Sequence, residues 1–100
     1  MIRGTTPKHT FVLPFNTDTI AKARVVYSQT GRPVLIKEHE DLVLEGNTVE
    51  VHLTQQETLD FFCGKDVLVQ VRVLTQTGEA MASDIQRVDV GRCLDDEVLV

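Results

Sequence analysis

Thr48-Val49-Glu50-Val51-His52-Leu53 is the stretch on which the fold turns. Val49, Val51 and Leu53 fall on one side of an extended chain and Thr48, Glu50 and His52 on the other, because successive side chains of a β-strand point to opposite faces. One apolar face and one wet face is the pattern of a strand in an antiparallel sandwich. Asp66-Val67-Leu68-Val69-Gln70-Val71-Arg72-Val73-Leu74 repeats it, with valines at 67, 69, 71 and 73. Leu68 and Leu74 on its reverse face predict a central strand whose ends are covered as well.

Working outward, residues 21–28 place Ala23, Val25 and Tyr27 on one face and Lys22, Arg24 and Ser28 on the other, with Val26 the apolar exception. Thr30-Gly31 turns the chain, and Pro33 restarts it into Val34-Leu35-Ile36-Lys37, which predicts a β-hairpin. Phe11-Val12-Leu13-Pro14-Phe15 reads as a first short strand that ends at Pro14 or lies at an edge, since proline has no N–H for a ladder. The polar run Glu38-His39-Glu40-Asp41 leads into Leu42-Val43-Leu44, and Glu45-Gly46-Asn47 turns the chain again. Thr54-Gln55-Gln56-Glu57 is a capping box, predicting a helical turn over residues 55–60 that is anchored by Leu59 and crosses between sheets. In Glu79–Val90, Met81, Ser83 and Ile85 share one parity and Val88 and Val90 the other, so a bulge near Gln86-Arg87 is expected to re-phase the strand. About seven strands at this spacing predict an all-β, immunoglobulin-like antiparallel β-sandwich with one short helical turn. The antibody pattern of Cys, Trp and Cys is missing. Residues 1–100 are read as a single domain, with residues 1–8 an N-terminal arm and 91–100 a C-terminal tail.

Composition agrees, with 42% hydrophobic and 25% charged residues among 100, enough apolar material to offset the entropy of ordering. No window approaches the roughly 18 apolar residues of a membrane span, and Met1–Pro7 lacks the apolar run of a secretory signal. A net charge of −5 argues against nucleic-acid binding, because phosphates would repel the chain. Residues 1–37 carry six Lys/Arg and one acid, whereas residues 38–100 carry four basic and fourteen acidic side chains. Either the two parts interleave and their fields average, or the molecule has unlike faces suited to head-to-tail packing. Cys63 and Cys93 fit no zinc or redox spacing; free thiols are the preferred reading over one disulfide.

Catalytic chemistry finds no footing. Cys63 and Ser83 lie in no nucleophile motif, and the glycines stand apart at turns, so no catalytic residue and no cofactor is predicted. His52 with Glu50 and His39 is the set to test for zinc, but histidines on wet faces are ordinarily just solvated, and no metal is predicted. Asp95-Asp96-Glu97 lacks the alternating ligands and glycine turn of a calcium loop. More informative is the apolar ending. Leu94, Val98, Leu99 and Val100 either pack back on the sandwich or form an arm that adds to a partner's sheet edge, and they are the candidate partner-binding residues.

Met1-Ile2-Arg3-Gly4-Thr5-Thr6-Pro7, Phe11-Val12-Leu13-Pro14-Phe15 and Leu53-Thr54-Gln55-Gln56-Glu57-Thr58 together resemble small proteins encoded in phages and prophages of Gram-positive, gut-type bacteria. More remotely, the chain resembles the N-terminal immunoglobulin-like domain of phage baseplate upper proteins. That resemblance implies a domain that docks onto the tail apparatus and carries receptor-binding parts on a C-terminal extension. With the sequence stopping at Val100, the expectation becomes a free-standing virion adaptor. The expected function is therefore a non-enzymatic phage or prophage structural protein of the tail or baseplate, located in the virion and assembled in the bacterial cytoplasm. Its expected partners are further copies of itself or other virion proteins, not nucleic acid, a membrane or a small molecule. The alternative is a carbohydrate- or surface-ligand-binding module. Sugar binding calls for exposed aromatic platforms, and the chain has one Tyr, four Phe and no Trp.

Overall fold

A computed structural model describes all of residues 1–100. Its strands are β1 (Lys8–Val12), β2 (Ile20–Gln29), β3 (Arg32–Lys37), β4 (Leu42–Glu45), β5 (Thr48–His52), β6 (Val67–Thr75), β7 (Ala80–Ala82) and β8 (Gln86–Val88), with one α-helix, α1 (Gln55–Leu59), between β5 and β6 and single 3-10 turns at Thr17–Thr19 and His39–Asp41. They form two antiparallel sheets, one ordered β1-β5-β4 and the other β3-β2-β6, with β7 and β8 both paired to the far side of β6. In the lettering of variable-type immunoglobulin domains these orders read B-E-D and C′-C-F-G. The fold is immunoglobulin-like. What would be strand A is reduced to one parallel bridge between Ile2 and Gly91, so no strand lies against the outer margin of β1.

The alternating valines are the reason the layers stack. Val49 and Val51 of β5 face Ala23, Val25 and Tyr27 of β2 and Val67, Val69, Val71 and Val73 of β6 across one apolar cluster, which Leu13, Ile20, Leu53, Phe61 and Val90 complete. Each such buried aliphatic side chain contributes about 1.5 kcal/mol or more. The turns use left-handed backbone where the sequence supplies it: Thr30 and Gly31 have φ of 53° and 81°, closing the β2–β3 hairpin.

Helix α1 forms where the capping box predicts. Thr54 Oγ1 accepts the Glu57 N–H, and the Glu57 carboxylate accepts the Thr54 N–H at 2.8 Å. Such a cap is worth about 1 kcal/mol, but a helix this short also needs tertiary anchors. Leu59 and Thr58 are buried, and Arg3 Nη2 donates to the Leu59 carbonyl at 2.6 Å at the helix's end. The same Glu57 carboxylate holds Lys37 Nζ of β3 at 2.8 Å, tying the helix to the larger sheet. Burial pushes the Glu57 carboxyl up, yet the bonds from Lys37 and Thr54 outweigh it and leave the group below the usual range.

Several expectations are corrected. The first strand runs Lys8–Val12, not 11–15. Beyond Val12 the ladder gives way to a closing pair, in which Leu13 N–H donates to the Asn47 carbonyl and Asn47 Nδ2 to the Leu13 carbonyl, and Pro14 supplies no further donor. The expected single strand over 79–90 is broken into β7 and β8, and the irregularity sits at Ser83–Ile85 instead of Gln86-Arg87. Ser83 causes it: its Oγ takes the Val71 N–H that a continuous ladder would leave to backbone. Ile85 is consequently turned outward and 60% exposed. Leu74 is exposed too, so the reverse face of β6 is open at that end. Of the N-terminal arm read as residues 1–8, Lys8 belongs to β1 and the rest is docked: the Met1 ammonium donates to the Asp89 carbonyl at 2.6 Å and Gly91 N–H donates to the Met1 carbonyl.

Candidate docking surfaces

Two surfaces stand out once the core is filled. The first is the flank where the margins of β1 and β7–β8 face each other with no strand between them. Stacked sheets lie about 10 Å apart, and here the gap holds two adjoining recesses of about 480 and 400 Å³. Lys8, His9 and Arg87 line the first recess, and Glu50 and Asp66 pair with Lys8 and Arg87 from outside its lining. The second is mainly apolar, with Leu13, Phe15 and Met81 in its walls and Asp84 at its rim. Val12, 73% exposed, borders both.

The second surface is the outer face of the larger sheet. Even-numbered residues of β2 and β6 point there, and register sets Arg24 directly opposite Arg72 and Lys22 opposite Leu74. Like charges directly across a ladder repel. Glu38 relieves this at Arg24, holding its guanidinium at 3.0 Å, while Lys22 and Arg72 line a shallow hollow of about 220 Å³ with Ala80 and Leu74. The basic side chains on this face therefore derive from both the basic first third of the sequence and the acidic remainder.

Histidines serve structure. His39 Nδ1 accepts the Ala23 N–H at 2.9 Å, which accommodates the register shift of β2 near Ile20–Lys22. His52 and Glu50 pair at 2.9 Å on the wet face of the smaller sheet, so the structure joins these two and engages His39 elsewhere. The bond from His52 and the charge of Lys8 hold the Glu50 carboxyl below its usual range. No group of three or more His, Cys, Asp or Glu side chains is placed to hold a metal ion. Cys63 and Cys93 are free thiols.

His9 reaches inward from β1 to the buried Tyr27, whose hydroxyl lies 2.7 Å from His9 Nδ1. Burial, and secondly the charge of Glu57, raises the Tyr27 phenol well above its usual range, so it keeps its proton and donates to a neutral imidazole. Burial, and then the N-terminal ammonium, lowers His9 below the ordinary histidine range. The unfolded chain, titrating at about 6.5, then binds a proton that the folded chain resists. Stability is accordingly expected to fall as pH drops from about 6.5 through the lower folded value. Urea midpoints measured from about pH 7 to about pH 5 check this, and His9→Asn, which keeps an acceptor for Tyr27, is expected to flatten that interval.

The tail is neither packed away nor free. Gln55 clasps the Leu99 backbone, its Nε2 donating to the carbonyl at 3.0 Å and its Oε1 accepting the N–H at 2.7 Å. Arg3 Nη1 meets Asp96 at 3.0 Å. The apolar side chains stay in solvent: Leu94 is 91% and Leu99 78% exposed, Val100 fully so, and Val98 partly so.

No protein-family model matches the chain, and no curated protein matches it. Among solved structures it is similar to the V domain of amphioxus IgVJ-C2, at 10% identity over 90% of this chain and 96% of that one, with a TM-score of 0.38. Strand order, not this likeness, establishes the fold. The open flank escaped sequence reasoning, although Pro14 was read as ending the first strand or placing it at an edge. Gln29 was missed as well. It is buried, and its amide bonds the Phe62 and Lys65 backbone; a lone glutamine at the end of a strand carries no pattern that separates it from a solvated one.

Proposed function

We propose that the chain is a non-enzymatic assembly module of a phage or prophage virion, an adaptor of the tail or baseplate that acts through protein–protein contacts after assembly in the bacterial cytoplasm. The observation that carries the reading is the division of its surface. The larger sheet presents Lys22, Arg24 and Arg72 beside Ile36 and Leu74, whereas Asp60, Asp95, Asp96 and Glu97 gather with the tail near α1. Unlike charged regions on one chain favour contact between the two, in another copy or in a partner, over contact of either region with its own kind. The sequence resemblance supplies the phage context. Support for a non-enzymatic role comes from the histidines, of which His9 and His39 are bound to Tyr27 and the Ala23 backbone and His52 to Glu50 on an open sheet face.

Ligand binding finds one feature in its favour, the 64% exposed ring of Phe62, but Tyr27 and Phe61 are buried and Phe11 and Phe15 half-buried. A glycan array without hits discards that reading. The test of the main one is peptide mass spectrometry on gradient-purified particles from the bacterium that encodes the chain. Recovery at fixed stoichiometry with tail proteins is the expected result. Absence from the particles, with the chain abundant in the cell, overturns it.

A further inference from the structure

The flank between β1 and β7–β8 has the geometry of a strand site. Leu53 N–H donates to the Pro7 carbonyl and Leu13 N–H to the Asn47 carbonyl. Odd-numbered residues of β1 thus bond to β5, and the backbone groups of Lys8, Thr10 and Val12 face the flank. An edge of this kind, long enough to pair and lacking a cover, is a template for another chain. The recesses beneath it are graded, cationic at Lys8 and Arg87 and apolar towards Leu13, Phe15 and Met81, with Asp84 at the rim of the apolar one. The cations are loosely held: Lys8 meets Glu50 at 3.4 Å and Arg87 meets Asp66 at 3.5 Å, both pairs largely exposed.

We infer that this flank takes the C-terminal segment Leu94–Val100 of a second copy as an added strand, so that two chains exchange arms about a two-fold axis. Charge complementarity selects the occupant. Asp95, Asp96 and Glu97 followed by Val98, Leu99 and Val100 match the cationic and apolar ends of the flank in order. The match sets direction, with the arm parallel to β1 and antiparallel to β7–β8. Asp96, Val98 and Val100 share one parity and face the recesses, Asp96 at the cationic end and Val98 and Val100 at the apolar end, while Asp95, Glu97 and Leu99 face away. In the single chain the arm is held only by Asp96–Arg3 and the Gln55 clasp, both exposed, which leave Leu94, Leu99 and Val100 in water. Exchange gives up those polar contacts and gains a ladder together with apolar burial. Each copy carries both arm and flank, so the interface is isologous and closes at two. This pairing is a property of the chain alone and holds whether or not it resides in a particle.

Light scattering on the full chain at rising concentration is expected to show the mass move from 11.2 kDa to twice that value. An excess of a synthetic peptide with the sequence of Leu94–Val100 returns the mass to that of one chain. Thr10→Pro deletes a backbone donor that faces the flank and no bond to β5. It is expected to weaken dimerisation by about tenfold while the dilute protein melts as before, and Val98→Ser weakens it from the arm's side. Two results overturn the exchange: a mass of one chain at every concentration, or a dimer indifferent to both Thr10→Pro and the peptide. Should Thr10→Pro fail to fold, the peptide arm still decides.

Discussion

Tyr27→Ala is expected to lower stability by about 4 kcal/mol, the largest loss for any single truncation in this core. The ring is fully buried in the second half of β2, with Phe61 at 6.0 Å and His9 at 5.7 Å between centroids. Removing it opens a cavity between the sheets, bordered by β-branched side chains that cannot move in to fill it. It also strands His9 Nδ1 without its 2.7 Å partner. A domain of this size has about 5–15 kcal/mol to lose, so the variant is expected to melt far below the parent. Tyr27→Phe separates the two contributions, at about 1 kcal/mol for the hydrogen bond alone. Urea unfolding of the three proteins checks both figures. A loss under about 1.5 kcal/mol for the alanine variant means that the ring does not occupy the core centre.

Gln29→Leu is expected to cost about 3 kcal/mol although it keeps the volume and raises the apolarity of a buried site. Gln29 Nε2 donates to the carbonyls of Phe62 at 2.8 Å and Lys65 at 3.1 Å, and Oε1 accepts the Phe62 N–H at 2.8 Å. One side chain at the end of β2 thereby satisfies three backbone groups of the loop that leads into β6. Leucine leaves all three unpaired, and an unpaired buried polar group costs about 1–3 kcal/mol. The loop around Phe62–Lys65 is expected to become the first site of proteolytic cleavage, readable by mass spectrometry alongside the urea midpoint. An unchanged midpoint means that water reaches these groups and the glutamine is dispensable.

Much of the fold was legible because burial on one face imposes a period of two. Val49, Val51 and Leu53 fixed a strand and its inward side, and the valines of β6 did the same for the partner layer. The capping box at Thr54 and Glu57 was legible because its chemistry is local. Where tertiary structure decides, the sequence was silent. Ser83 breaks the last strand through a bond to Val71, a residue twelve positions away, and nothing near Ser83 announces it. The start of β1 at Lys8 follows from pairing with His52, again a distant partner. The open flank is an absence, a strand A shortened to the Ile2–Gly91 bridge, and alternation cannot report a missing neighbour. Among the candidate partner residues, the apolar ending was visible in the sequence, whereas the clasp of Leu99 by Gln55 depends on where α1 comes to rest.

Recognition through the bare margin of β1 is tested most directly by residue-resolved amide hydrogen exchange on the full chain, dilute and concentrated. On association, the N–H groups of Thr10 and Val12 and those of residues 94–100 are expected to slow together, while Lys22, Arg24 and Arg72 keep their dilute rates. Unchanged exchange along β1 at a concentration where the chain has associated would contradict it.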